Sequence, residues 1–278
     1  MFSERIEFVQ RKFGPVFSQD NEAIFFNPET PSHCLSLSLD KLVAYQTLFP
    51  VVDQLETAGI KCVQSISQRK FNLAIISIPK SKKLARHLIY LATKAVPEGL
   101  IIVDGNKSNG IESIIRDLEK KIKITNVISK AHGKTAWFET PADLEMYKDI
   151  PLKIEDGFET QAGVFSSDGV DPASKLLIQL LPKDLMGVGA DLGGGWGYLS
   201  AKVLETNSIH ELHFIEADLN AINLAKNNLN DKRVKFYWCD ALKWKAPKLL
   251  DFIIMNPPFH HLGRAIPTLG IDFIKVAS

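Results

Sequence analysis

The residues of this 278-residue chain best suited to chemistry are Asn256-Pro257-Pro258-Phe259, which follow a short apolar run from Asp251 to Met255. A planar exocyclic amine is a poor nucleophile because its lone pair is delocalised into the ring. Two acceptors that bind its two N–H hydrogens favour a pyramidal nitrogen, whose lone pair is open to an electrophile. The Asn256 side-chain oxygen and the Pro257 carbonyl can be those acceptors, with Pro258 fixing the turn that aims the carbonyl outward. Phe259 adds a flat face on which an extruded base can stack. The pattern points to alkylation of an amine, a reaction that needs neither a metal nor a general base.

The electrophile has to be held, and Gly189-Ala-Asp-Leu-Gly-Gly-Gly-Trp-Gly-Tyr-Leu-Ser200 is the stretch suited to holding it. It reads as a buried strand, a glycine turn and the start of a helix. Gly193, Gly195 and Gly197, spaced two apart after Asp191, let the backbone turn sharply and approach a ligand where a Cβ would collide. Nicotinamide and flavin enzymes use a similar turn, so the glycines alone do not name the cofactor. The next strand, His210 to Ile215, ends at Glu216, where a carboxylate can take both hydroxyls of a ribose. A third, Val234 to Trp238, ends at Cys239-Asp240-Ala241, where the Asp240 carboxylate and a backbone amide can read an adenine edge. The fourth is the run that leads into Asn256.

Taken together, these four strand ends resemble a class I S-adenosylmethionine-dependent methyltransferase of the amino-methylating branch. More narrowly, Gly163-Val-Phe-Ser-Ser-Asp-Gly-Val-Asp171, Asn256-Pro-Pro-Phe-His260 and Lys130-Ala-His-Gly-Lys-Thr-Ala-Trp-Phe138 resemble the bacterial ribosomal RNA guanine-N2 methyltransferases of the small-subunit type. The resemblance covers most of the chain. It implies S-adenosyl-L-methionine as cofactor, bracketed by Gly193, Gly195 and Gly197, with Asp191 at its amino group, Glu216 at its ribose and Asp240 with Ala241 at its adenine. It implies catalysis by Asn256, Pro257, Pro258 and Phe259 on the N2 amine of a flipped guanine, with ribosomal RNA or the small ribosomal subunit as partner. Gly163 to Asp171 would lie over the cofactor, with Phe165 or Asp168 touching cofactor or substrate, or would be a packed loop ahead of a helix capped by Asp171 and opened by Pro172.

Composition sets the frame for these motifs. With 45% hydrophobic residues and mean hydropathy near zero, the chain suits two compact domains, and no apolar run approaches the ~20 residues of a membrane span. Its start, Met1-Phe-Ser-Glu-Arg-Ile-Glu, has no signal-peptide pattern, and Cys34, Cys62 and Cys239 have no metal-ligand spacing, so a reducing, cytoplasmic setting is expected. Net charge is only +1, but residues 1–150 hold 20 Lys and Arg against 17 Asp and Glu, while residues 151–278 hold 13 against 15. The first half is therefore the expected RNA contact. Lys80, Lys82, Lys83, Arg86, Lys120, Lys121 and Lys123 are either that contact or ordinary solvated helix faces.

The first half reads as an α/β domain of its own. Strands are expected at Ala23–Phe26, Cys62–Ile66, Leu73–Ile78 and Leu100–Val103. Helices are expected within Leu39–Ala58, at Lys82–Ala95 and at Ile111–Lys121, and the domain closes with a hairpin from Ile124–Ser129 to Thr135–Phe138. Ile75-Ile-Ser-Ile-Pro79 matches Ile253-Ile-Met-Asn-Pro257 at an offset of 178, with Ile78 where the second copy has Asn256. The match is either duplication with loss of the catalytic acceptors, which fits the two-domain architecture of the resembled family, or chance similarity between two hydrophobic strands. By the same offset Ser278 falls at Leu100, so the second copy is expected to be truncated after the helix that follows its fourth strand. Such a copy would leave a sheet edge open to a dimer contact.

The expected architecture is thus α/β, with two tandem Rossmann-like class I methyltransferase domains, the second incomplete at its C-terminus. Residues 1–145 form a degenerate supporting copy, 146–170 a linker and covering segment, and 171–278 the catalytic domain. The other amino-methyltransferases, acting on protein glutamine or DNA adenine, share the tetrapeptide, and an inactive RNA-binding protein is the alternative from a different class.

Overall fold

The computed structural model describes residues 2–66, 70–141, 143–257, 260–261, 264–265 and 267–277. The chain forms two compact units, one of Met1–Thr47 and Val51–Asp149, the other of Leu48–Pro50 and Ile150–Ser278. No described helix is long and apolar enough to cross a membrane.

The first unit holds α1 (Phe2–Phe13), β1 (Glu22–Phe26), α2 (Pro31–Leu35), β2 (Lys41–Tyr45), α3 (Phe49–Thr57, from Val51 onward), β3 (Lys61–Val63), β4 (Leu73–Ser77), α4 (Lys82–Ala95), β5 (Leu100–Asn106), α5 (Ile111–Glu119), β6 (Asn126–Lys130) and β7 (Gly133–Glu139). Its sheet runs β3-β2-β1-β4-β5-β7-β6, parallel except for β7, which is antiparallel to both neighbours. All five residues of β4 are buried, as expected of a parallel strand covered on both faces. The α4 and α5 side of the sheet packs Ile76, Ile89, Val103 and Ile115 into one core, while α1 covers the opposite side, stacking Phe2 on Phe25 at 5.2 Å.

The helix expected within Leu39–Ala58 is α3, but Lys41–Tyr45, ahead of it in the same stretch, is a strand that the sequence did not reveal, β2, hydrogen-bonded in register to both β1 and β3. Pairing on both sides outweighs a local pattern that suits either state. The sequence also concealed α1, although Phe2, Arg5, Ile6 and Val9 share its buried face at helical spacing.

That face carries an ion pair. Arg5 is 2% exposed, and its Nε and Nη2 donate to Asp104 Oδ1 and Oδ2 at 2.7 and 2.6 Å, while Nη1 reaches Asn106 Oδ1 and Ala131 O, both at 3.2 Å. Ala131 and His132 turn the β6–β7 hairpin with φ of 47° and 55°. Gly133 follows because a Cβ there would stand 2.5 Å from Arg5 Nη1.

The second unit contains β8 (Leu152–Lys153), β9 (Glu159–Thr160), α6 (Pro172–Leu180), β10 (Gly187–Leu192), α7 (Tyr198–Val203), β11 (Ile209–Glu216), α8 (Leu219–Leu229), β12 (Val234–Trp238), β13 (Phe252–Met255), β14 (His260–His261), β15 (Arg264–Ala265) and α9 (Pro267–Ala277). Its main sheet, β12-β11-β10-β13, is parallel throughout. Leu199, Leu212, Phe214, Ile222 and Ile254 form the core on one face, and Leu192, Ile215, Ala241 and Phe273 form it on the other. His260 and His261 pair antiparallel with Ala265 and Arg264.

The two sheets share one strand order, β3-β2-β1-β4 and β12-β11-β10-β13, and their registers can be compared. Phe26 stands beside Tyr45 and Ile76, and Leu192 beside Ile215 and Met255. Hydrogen bonding therefore sets Asn256 against Ser77, one residue away from the Ile78 that sequence matching selected. The apolar strands match at either offset, and only the ladder separates the two.

Arg5→Met leaves a carboxylate buried without its counter-charge. It is expected to lower the unfolding free energy by about 3–5 kcal/mol, read by chemical denaturation, and Arg5→Met with Asp104→Leu should recover most of that loss.

Candidate functional site

The site forms where β10, β11 and β13 end. β10 has β11 on one side and β13 on the other, so the chain order reverses at the β10–β13 boundary, where open parallel sheets hold their ligands beyond the strand ends. The glycine turn leaves β10 on one side of that boundary and Asn256 leaves β13 on the other.

Each glycine in the turn has its own reason. Gly193, Gly195 and Gly197 have φ of 75°, 59° and 100°, conformations that side chains rarely adopt. Gly194 is required by close approach, because a Cβ there would lie 2.3 Å from the Phe214 ring. The N–H groups of Gly193 and Gly194 both donate to Ile215 O, at 2.8 and 3.1 Å. Among the described residues, a Cβ at Gly195 would meet nothing within 4 Å, so the space above it is open.

Two carboxylates brace the turn from below. Glu216 accepts from Gly195 N–H through Oε2 and from Asp218 N–H through Oε1, both at 2.8 Å, and burial holds its pKa above the ordinary range against those bonds. Asp191 is fully buried; Oδ2 accepts the Ser200 hydroxyl at 2.6 Å while Oδ1 has no partner among the described residues. Burial, with Glu216 adding repulsion, pushes the Asp191 carboxyl up to about 7. An orphaned oxygen at such a depth is suited to a cationic group.

Opposite the turn stands the start of α6. Asp171 caps it, Oδ2 accepting from Ser174 N–H at 2.9 Å, with Pro172 in the first turn. Asn256 reaches across from β13, its Nδ2 donating to Asp171 Oδ2 at 2.9 Å and to Ser174 Oγ at 2.8 Å. The segment ahead of α6 is tied down along its length. Thr160 Oγ1 donates to Ser167 O at 2.6 Å, Trp196 Nε1 to Phe165 O at 3.0 Å, and Val170 N–H to Glu155 at 3.3 Å. Trp196 is buried against Phe158, Val164 and Val170, so it packs beneath the segment rather than offering its face to a ligand.

These elements enclose a pocket lined by Phe165, Ser166, Asp171, Ser174, Gly193–Gly195, Trp196, Tyr198, Leu199 and Asn256. Phe165 is 60% exposed although its carbonyl is anchored, which leaves an aromatic face at the pocket rim. Of the residues expected from sequence, Gly193, Gly195 and Asn256 meet here. Asp191 and Glu216 stand behind the turn, and Asp240 accepts from Leu242 N–H at 2.9 Å at the end of β12, with Ala241 buried beside it. Pro257 follows Asn256, while Pro258 and Phe259 lie outside the described residues. Asp171 and Ser174 were legible only as a helix cap, and nothing in their spacing signals Asn256 as their partner. Among the described residues no cluster of His, Cys, Asp and Glu could hold a metal.

The methyltransferase small domain family matches residues 155–278, and the N-terminal methyltransferase small domain matches residues 26–139. Ribosomal RNA small subunit methyltransferase C of Shewanella loihica is 31% identical over 79% of this chain and 68% of its own length. The chain belongs to the family of ribosomal RNA small subunit methyltransferase C. The protein of the same name from Acinetobacter baylyi is 29% identical over 67% of this chain, which spans 59% of that relative. The fold is shared with the T. thermophilus 16S rRNA N2 methyltransferase RsmC, solved in complex with AdoMet and guanosine, at a TM-score of 0.73 and 20% identity, covering 99% of this chain and 79% of that one.

The raised Asp191 carboxyl has a consequence for stability in this family member. The folded state holds a proton that the unfolded chain releases near 3.8, so the contribution is fully present below that value and is lost as pH rises through about 7. Asp191→Asn, which stays neutral, is expected to unfold at a higher temperature than the parent at pH 8 and by a smaller margin at pH 5. At roughly 1.4 kcal/mol per unit the full effect approaches ~4 kcal/mol. A margin independent of pH would contradict the assignment.

Proposed function

We propose that this chain transfers a methyl group from S-adenosylmethionine to the exocyclic N2 amine of a guanine in small-subunit ribosomal RNA. The observation that carries the reading is the meeting, in one pocket, of Asn256 from β13 with the glycine turn from β10. The names of the relatives support the substrate, and the AdoMet and guanosine bound to the T. thermophilus protein of the same fold support both ligands.

The chain's own residues fit the cofactor. Gly195 leaves open space over the turn, and the unpartnered Asp191 Oδ1 is suited to an ammonium group, directly or through water. Glu216 keeps lone pairs beyond its two backbone bonds for ribose hydroxyls, and Asp240 stands at the next strand end for the adenine. When bound, the cofactor supplies a methyl group on a positively charged sulfur. Asn256 Oδ1 and the Pro257 carbonyl accept the two amine hydrogens and leave the nitrogen lone pair free, while Phe259 and the exposed ring of Phe165 offer stacking faces for the extruded base. The proton lost from the amine can pass to solvent after transfer, so no residue is assigned as a base.

In this reading residues 1–145 are a supporting copy that contributes RNA contacts, residues 146–170 are the linker and cover, and residues 171–278 carry the chemistry in the cytoplasm. Labelled S-adenosylmethionine offered with small-subunit particles, naked 16S rRNA, a glutamine peptide and DNA tests it. N2-methylguanosine in the RNA digest is the expected product. Label in glutamine or adenine, or RNA binding without transfer, would overturn the reading. Asn256→Ala is expected to lower turnover by about 100-fold or more while leaving the Kd for S-adenosylmethionine unchanged.

A further inference from the structure

An asparagine amide has a donor end and an acceptor end of nearly equal shape, and a half-turn about its last bond exchanges them. Only the acceptor end can bind the hydrogens of an amine. We propose that Asp171 is a positioning residue, which acts with Ser174 to hold the Asn256 amide so that Oδ1 faces the pocket. The functional part of this inference rests on the reading of Asn256 as the acceptor for the target amine.

The geometry leaves one orientation. Asn256 Nδ2 has two N–H hydrogens and two partners, Asp171 Oδ2 at 2.9 Å and Ser174 Oγ at 2.8 Å. An ionised carboxylate can only accept, so the donor end must face it. The reversed amide would set Asn256 Oδ1 against Asp171 Oδ2 in a partly buried site and leave both N–H groups to the pocket. With the donor end occupied, Oδ1 has no partner among the described residues.

Asp171 is itself immobilised. The oxygen that accepts from Asn256 also accepts from Ser174 N–H at 2.9 Å, and Pro172 fixes the backbone that follows. One carboxylate oxygen therefore starts α6 and orients an amide carried by a strand 85 residues further on. Ser174, 7% exposed, stands one turn along the helix as the second acceptor. A solvated cap would not need this second, buried partner.

The test separates the cap from the lock. Asp171→Ser preserves a good N-cap but is too short to reach Asn256, and Ser174→Ala removes the other acceptor. In the full chain, the paired substitution is expected to lower kcat for guanine methylation by about 10- to 100-fold at unchanged Kd for S-adenosylmethionine and a similar unfolding midpoint. Asp171→Asn in place of Asp171→Ser retains an acceptor oxygen and should restore most of that rate. Independently of turnover, the Asn256 side-chain amide protons, identified by their loss in Asn256→Asp, should exchange slowly with solvent in the parent and rapidly in the paired variant. Fast exchange in the parent would overturn the lock whatever the enzyme does. Equal kcat in an active parent and the paired variant would overturn the positioning role. A parent that shows slow exchange but methylates no guanine would instead overturn the proposed function and leave the lock standing.

Discussion

The second unit depends on how its glycine turn is fastened to the end of β11. Ile215 O accepts two consecutive N–H groups, and the next residue, Glu216, accepts a third from Gly195. Such a clasp brings the backbone onto Phe214 so closely that Gly194 can carry no side chain. With the turn pinned at that point, Gly195 is left with open space above it and Asp191 is sealed beneath. Ser200, the third residue of α7, then returns its hydroxyl to Asp191, so strand, turn and helix are closed by one buried hydrogen bond.

The first unit shows what the same layout becomes when the clasp changes chemistry. Gln46, next after Tyr45, stands where Glu216, next after Ile215, ends β11, and Asn27 N–H bonds to Tyr45 O as Gly193 N–H bonds to Ile215 O. Yet Gln46 donates, through Nε2, to Pro28 O at 3.0 Å, whereas Glu216 accepts from a loop N–H. The peptides of the two turns face opposite ways, and the turn after β1 contains no glycine. At the strand end that matches Asn256, Ser77 is buried, with its carbonyl taken by Asn27 Nδ2 at 3.0 Å. The polar groups at this strand end are here satisfied within the fold, whereas Asn256 in the second unit lines a pocket.

The covering segment connects these levels. Asn228 of α8 takes Trp196 O at 2.8 Å and both backbone groups of Glu159, so the turn and β9 are clamped by one side chain. Trp196 in turn carries Phe165 to the rim, and the chain runs on into Asp171. Placement of the two polar residues that face the glycine turn, Asp171 and Asn256, thus traces back to packing around a tryptophan whose ring is buried against Phe158, Val164 and Val170.

The residue types at the strand ends were legible before any fold was known: glycines at 193, 195 and 197, an acid at 216, and Asn256 before two prolines. Those features are local, set by backbone conformation and by residue type at a strand terminus, and they can be read without knowing what lies across the pocket. Apolar runs such as Leu73–Ser77 were legible for the same reason, because a strand buried on both faces needs no partner to reveal it. Lys41–Tyr45 was not, since a strand between two others is chosen by its neighbours' hydrogen bonds rather than by its own pattern. Long-range packing set the rest: that Asn256 donates to Asp171, that Gly194 yields to Phe214, that Gly133 yields to Arg5, and that Ser77 rather than Ile78 is the counterpart of Asn256. Each is a contact between residues far apart in the chain, and the physics that selects it, excluded volume or a shared hydrogen bond, acts only after folding has brought them together.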